Sequence, residues 1–530
     1  MSGTGKAIWT ADMQDGTYRN PILHADYADP DVIRVGSDFY MISSSFSHTP
    51  GLPLLHSKDL INWTILGHVI DRLDLPGFDK PRHGEGVWAP SIRHHDGKFW
   101  VFFATPDEGI FMCTSEDARG PWTSPHLVRK VKGWIDPCPF WDEDGRAYLI
   151  HAFAHSRCGI KDKLQLIEMS PDGRELLGDG VIVFDGEERH PTIEGPKLYK
   201  RRGYYYIFAP AGGVVPGWQT VLRSRDIWGP YEDRIVLHQG DTEVNGPHQG
   251  GWIELLSGES WFLHFQDRDA YGRIIHLQPM HWSDDWPVMG VDRNMDGIGE
   301  PVKRWNKPDV GRTYPIQTPA ASDDFSAPIL GLQWQWQANP DSRWYSLSER
   351  PGNLRLYALS LPEGAGTLYD APQLLLQKLS APQLQATASL RFFPEEDGDQ
   401  TGLIVFGIRY TYLAVTFCGQ RLRMSLVQGT PEEGNRVERE VWAVDLDVQP
   451  RGASVESIQL RVTITGEASC RFSYSLDGSV WRQAGGKVQA SAGRWVGAKI
   501  GLFAVNRNRT RSSGHADIGK YQVEELPSGL

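Results

Sequence analysis

The chain has 530 residues, of which 40% are hydrophobic and 11% aromatic, with 20 Trp and a formal net charge of −12. That length exceeds what one core supports, so two or more domains are expected. The acidic balance argues against sequence-independent nucleic-acid binding, which needs a basic surface, and no apolar run approaches the roughly eighteen residues of a membrane helix. The opening "MSGTGKAIWTADMQDG" lacks the apolar stretch of a signal peptide. Five cysteines (Cys113, Cys138, Cys158, Cys418 and Cys470) are odd in number and show no CxxC spacing. They suggest neither a disulfide framework nor a zinc site, and a reducing, cytoplasmic location is the expectation.

Amphipathic helices are hard to find, and short Val-, Ile-, Tyr-, Phe- and Trp-rich runs between Gly, Asp, Asn and Pro clusters read as all-β. The first such run follows "DYADPDVIRV", where Asp26, Asp29 and Asp31 surround one proline. "VGSDFYMISSS" then leads into "HSKDLINWTILGHVI". The same order of turn, aromatic strand, second strand and Ser/Asp/Trp-Pro turn returns in "HDGKFWVFFAT", "DEDGRAYLIHAF", "KRRGYYYIFAP" and "SGESWFLHFQD" with their sequels. Five units of roughly 50–60 residues predict a five-bladed β-propeller, with an ordinary β-sandwich as the alternative. "KRWNKPDVGRTYPIQTPAASDD" reads as a linker, and the longer alternating strands beyond it read as a β-sandwich. The expected divisions are 1–305 for the propeller, 306–322 for the linker and 323–530 for the sandwich.

A propeller gathers the entrances of its inner strands around one channel, so acids at equivalent places in several blades converge. Asp29, Asp136 in "GWIDPCPFWDEDG" and Glu194 in "PTIEGPKLYKRRG" are placed this way, each with a proline one or two residues downstream. Proline should hold Asp29 and Asp136 in extended geometry. Two carboxyls across a cleft suffice to hydrolyse a glycosidic bond, one donating a proton to the leaving oxygen and one activating water. A third nearby carboxylate raises the acid's proton affinity by like-charge repulsion. Each acid taken alone also fits a turn cap or a surface residue.

The stretches "DYADPDVIRVGSDFYMISSSF", "GVWAPSIRHHDGKFWVFFAT", "WIDPCPFWDEDGRAYLI" and "TIEGPKLYKRRGYYYIFAPAGG" resemble glycoside hydrolase family 43. "DDFSAPILGLQWQWQANP" is similar to the opening of the concanavalin-like sandwich appended to that family's β-xylosidase-type members. The resemblance implies that Asp29 is the general base, Asp136 the modulator of the acid and Glu194 the general acid of a single-step inversion. Asp31 is then a local turn or strand-entrance residue, and Asp26 is solvated.

The resemblance also implies that His248, in "EVNGPHQGGW", lies at the pocket floor near a water-rich or calcium-occupied channel. Calcium prefers six to eight oxygen ligands, so any metal at this lone histidine would be held largely through water. Arg273, in "AYGRIIHLQPMHW", matches an arginine that binds sugar hydroxyls in related xylosidases. Phe46 and Trp88 are candidate pocket walls, and Gln219 is a further candidate for sugar contact. "DRNMDGIGEP" imitates a calcium loop, but Lys303 stands where the bidentate glutamate should be, so Asp292, Asn294 and Asp296 read as an Asx-rich turn. Asp324 and Asp517 could share a structural ion in the sandwich.

The expected activity is exo-acting release of xylose or arabinofuranose from hemicellulose oligosaccharides, without a cofactor for the chemistry. The alternatives are an arabinan- or galactan-directed hydrolase, a non-catalytic carbohydrate-binding protein on the same scaffold, and a propeller interaction platform. Neither nucleic acid nor membrane is expected as a partner, and a homo-oligomer is. The sandwich loop "FFPEEDGDQTG" is expected to cover the channel.

Overall fold

Aromatic and β-branched runs broken by glycine- and aspartate-bearing turns favour short, half-buried antiparallel strands. The computed structural model describes residues 7–433, 435–446 and 457–526. Residues 31–289 form five four-stranded antiparallel sheets, each built from consecutive strands. Their innermost strands are Asp31–Val35, Trp88–His95, Trp134–Trp141, Lys197–Arg201 and His248–Glu254. The five sheets are the blades of a five-bladed β-propeller, which we number I to V in chain order.

The ring closes without exchanging a strand. Leu23 bridges Ile275 of blade V, Asn20 hydrogen-bonds Leu277 and Val302, and Thr17–Arg19 pairs with Arg304–Asn306. Separate apolar clusters fill the spaces between blades, with Trp63, Phe102, Tyr148 and Tyr206 fully buried among them.

From Gln335 onward the described strands form two facing sheets, antiparallel except where Leu359–Ser360 runs parallel to Lys499–Asn506. One centres on Lys499–Asn506 and Asp399–Phe406, the other on Leu384–Phe393 and His515–Glu525. Strand Leu384–Phe393 alternates buried and half-buried positions, as expected for a sheet packed on one face. This sandwich is fastened to the propeller. Ala270, Tyr271 and Ile274 of the propeller join the sandwich core, and Tyr271 Oη donates within 2.6 Å of the carbonyls of Pro382 and Gly466. Gly272 meets Gly497 backbone to backbone. A Cβ on Gly272, whose φ is 71°, would lie 2.4 Å from Asp26 Oδ1 and 2.6 Å from the Gly497 nitrogen.

Candidate active site

One local device recurs at the channel end of every blade. Asp29, Ala89, Asp136, Gly195 and Gln249 all have positive φ (52°, 25°, 57°, 58° and 39°). Proline follows each of the first four, and glycine follows Gln249. In blades II, III and V the register of the inner strand slips at this point, between Trp88 and Ser91, Ile135 and Cys138, and His248 and Gly250. These are β-bulges, which turn side chains out of the regular alternation. The extended geometry expected for Asp29 and Asp136 is therefore wrong. Each carries a left-handed backbone costing roughly 1–3 kcal/mol, a strain that recurs at functional sites. Proline is tolerated beside each bulge because the inner strand is an edge strand.

The device brings the three predicted acids together. Asp29 is buried, with Oδ1 accepting from Arg273 Nη1 at 2.7 Å and Oδ2 accepting from Ser44 Oγ at 2.6 Å. Ser44 Oγ also accepts the Ala89 N–H at 2.8 Å, tying the base to the bulge of blade II. Asp136 Oδ2 accepts the Gly195 N–H at 2.8 Å, next to Glu194. Burial drives the proton affinity of Asp136 well above the usual carboxylate range, and the charges of Glu194 and Asp29 add to it. Glu194 keeps partial access to solvent, and its Oε1 lies 2.7 Å from His248 Nε2. The Glu194 N–H donates to the Pro210 carbonyl at 3.1 Å.

The supporting residues divide. Arg273 holds Asp29, and its backbone N–H donates to Asp26 Oδ1 at 2.9 Å. Asp26 is thus a buried structural acid rather than a solvated one. It was misread because its partner lies 247 residues away in the chain. Asp31 does stand at a strand entrance, yet its reach is not local. Its Oδ2 accepts Arg93 Nη1 at 2.6 Å and the Ile92 N–H at 2.9 Å, joining blades I and II. Phe46 and Trp88 form an edge-to-face pair with centroids 6.4 Å apart. Gln219 is buried, with Nε2 donating to the Thr220 carbonyl at 3.0 Å.

The sandwich reaches the site by a different loop from the one expected. "FFPEEDGDQTG" is folded onto its own domain, where Asp399 Oδ2 accepts the N–H groups of Glu395 and Glu396 and Asn508 Nδ2 donates to the Asp397 carbonyl. It is the 491–498 loop that arrives. Trp495 lies 6.5 Å from Trp88, edge to face, and the Arg494 side chain packs over Gly84. Neither Ser44 nor Trp495 stands out in the sequence. Ser44 is one of three serines in "ISSSF", and Trp495 depends on the docking of two domains.

The residues do not fit directly bound calcium. Among the described residues no group of three or more His, Cys, Asp or Glu is placed to hold a metal. His248 Nε2 is engaged by Glu194. Asp517 is taken by Arg355 and Arg350, and Asp324 by Ser326. Asp292 accepts the N–H groups of Asp296 and Gly297, closing the expected Asx-rich turn.

The arrangement has one buried carboxylate held by two donors, a partly exposed carboxyl beside a histidine, and a third, buried carboxylate near both. Two carboxylates facing one cleft can move a proton onto a leaving oxygen and off a water in one step. Comparison with known proteins agrees with this chemistry. The sequence model of glycosyl hydrolases family 43 matches residues 18–287, and that of the beta xylosidase C-terminal concanavalin A-like domain matches 322–524. A Xylanibacter ruminicola protein named for beta-xylosidase activity is 42% identical, covering 93% of this chain and 87% of its own. A non-reducing end alpha-L-arabinofuranosidase of Bacteroides ovatus is 30% identical over 79% of this chain and 80% of its own. The crystal structure of a xylan beta-1,4-xylosidase from Bacillus halodurans superposes with a TM-score of 0.83 at 26% identity, covering 96% of this chain and all of that one.

Proposed function

The chain belongs to glycosyl hydrolase family 43 and is a glycosidase, and from that premise we propose an inverting, exo-acting enzyme that releases xylose or arabinofuranose from the ends of hemicellulose oligosaccharides. The observation that carries this reading is the convergence of Asp29, Asp136 and Glu194 at one mouth of the propeller. Asp29 takes a proton from water as the water oxygen bonds to the anomeric carbon. The glycosidic bond breaks on the opposite face, and Glu194 gives its proton to the departing oxygen. Asp136 raises the proton affinity of the pair it forms with Glu194. Arg273 and Ser44 would fix the base, His248 would fix the acid, and the guanidinium of Arg273 would also meet sugar hydroxyls.

Phe46, Trp88 and Trp495 would form the apolar wall, and Gln219 would support it. Xylopyranose and arabinofuranose present similar hydroxyls, so both activities belong to the proposal. The chemistry needs no cofactor, and any calcium in the channel would sit behind water at His248. Five free cysteines suit a reducing, cytoplasmic setting supplied with imported oligosaccharides. Homo-oligomerisation is also proposed, and light scattering of the purified protein tests it. No helix among the described residues is long and apolar enough to cross a membrane.

The central test compares wild type and Glu194→Gln on 4-nitrophenyl β-D-xylopyranoside, 4-nitrophenyl α-L-arabinofuranoside and xylobiose. Wild type should cleave xylobiose and at least one aryl glycoside. The variant should lose roughly 10²–10⁴-fold on xylobiose and less where the aryl leaving group needs little acid help. A wild type inert on all three substrates would refute the pentosidase reading.

A further inference from the structure

Three residues beyond Glu194 lies a group with no assigned task. Lys197 opens the inner strand of blade IV and is fully buried, and its Nζ has no hydrogen-bond partner in the protein. The other two cations near the channel are committed, Arg273 to Asp29 and Arg93 to Asp31 and Cys138. Burying an unbonded ammonium costs several kcal/mol, and an apolar side chain would pack there more cheaply. A cation kept at that cost has to be compensated by a nearby field.

The field comes from the carboxylates above it. The next residue, Leu198, donates its N–H to Cys138 Sγ at 3.4 Å, which sets the Lys197 layer beside the strand that carries Asp136. Asp136 faces Glu194 and Lys197 of blade IV, Asp29 of blade I and the Gly195 N–H. Glu194 faces His248 and Arg273 of blade V. One proton is to be shared between Asp136 and Glu194, and burial and the charge of Asp29 draw it toward Asp136. On Asp136, which is buried, the proton is out of reach of a leaving oxygen. Lys197 and the Gly195 N–H pull the other way.

We propose that Lys197 is a positioning residue that decides where the shared proton sits. Its ammonium opposes protonation of the buried Asp136 and thereby favours the proton on Glu194, the acid that opens to the pocket. This rests on the roles proposed for Asp136 and Glu194.

Lys197→Met tests it through leaving-group dependence and pH. With the cation gone, the proton shifts toward Asp136, so kcat on xylobiose should fall about tenfold and kcat on the 4-nitrophenyl glycoside less than about threefold. The pair as a whole binds its proton more tightly, so the basic limb of the xylobiose pH profile should move up by roughly one pH unit. In an Asp136→Asn background, Lys197→Met should leave the ratio of the two rates unchanged, because the route through Asp136 is already cut. Equal losses on both substrates with an unmoved limb would overturn the proposal, as would a ratio that changes equally in both backgrounds. Lys197→Gln, neutral but polar, replaces the methionine variant if that does not fold. A wild type inert on these substrates would refute the pentosidase reading, whereas an active wild type with an unmoved limb would refute only the role of Lys197.

Discussion

Both domains bury carboxylates, and the acids at the propeller channel are supplied differently from those of the sandwich. In the sandwich, Asp399 takes the N–H groups of Glu395 and Glu396, the Asn506 amide and the Ser512 hydroxyl, all between 2.7 and 3.0 Å. Glu438 takes the hydroxyls of Tyr410 and Tyr412, the Leu368 N–H and Arg507. Asp517 takes two bonds from Arg355 and one from Arg350. In the propeller, Asp136 receives a single N–H and Glu194 a single histidine contact. A carboxylate whose lone pairs are filled is a strut. One left under-supplied, as Asp136 is, keeps a perturbed proton affinity. Donor count marks these sandwich acids as structural, whereas in the propeller Asp26, structural yet held by one N–H, shows that placement at the channel counts as well.

The sharpest way to break that contrast is to neutralise one acid in each domain. Asp29→Asn should lower kcat roughly 10²–10⁴-fold on every substrate, since no leaving group relieves the need for a base. Equal activity losses from Asp29→Asn and Asp399→Asn would show that donor count separates nothing.

What was legible in the sequence follows the same divide. The three acids could be read because each sits beside a proline at the same place in a repeated unit, so local pattern carried position. Their backbone geometry could not be read, because the bulge depends on pairing with the second strand of the blade. Asp26 was read as solvated because Arg273 and the Gly272–Gly497 contact come from distant blades and the other domain. The channel-covering loop was misassigned for a related reason. Acidity made "FFPEEDGDQTG" look exposed, whereas Asp399 folds it inward, and the 491–498 loop carries no local mark of its contact with Trp88.

A smaller effect sharpens the structural half of the comparison. Burial opposes ionisation of Asp517, but the bonds from Arg355 and Arg350 outweigh it and hold its pKa below the usual carboxylate range. A depressed folded-state pKa contributes stability that is complete above the unfolded value and is lost as pH falls through the folded one. Asp517→Asn should therefore destabilise the sandwich at neutral pH by about 2–4 kcal/mol, less than a fully buried orphan charge because both guanidiniums reach solvent. The deficit should shrink below roughly pH 4 as the wild-type carboxylate protonates. Urea unfolding at pH 7 and pH 3 measures both, while kcat on xylobiose stays within about twofold of wild type.

The smallest effect lies where the domains meet. Trp495 is 49% exposed, holds a φ of 64° and faces Trp88 edge to face. An exposed indole on a strained backbone has little to do for the fold, and beside Trp88 it would extend the proposed pocket wall. Such a platform should bind the sugar beyond the scissile bond, without touching the reacting atoms. Trp495→Ala should then raise KM for xylotriose about three- to tenfold, an effect of about 1 kcal/mol, with kcat nearly unchanged. KM for 4-nitrophenyl β-D-xylopyranoside should move less, because its aryl group reaches only as far as Trp88. A fall in kcat with KM unchanged would instead mean that the sandwich loop helps to order the acids, and the division between a reacting propeller and a bracing sandwich would have to be redrawn at that loop.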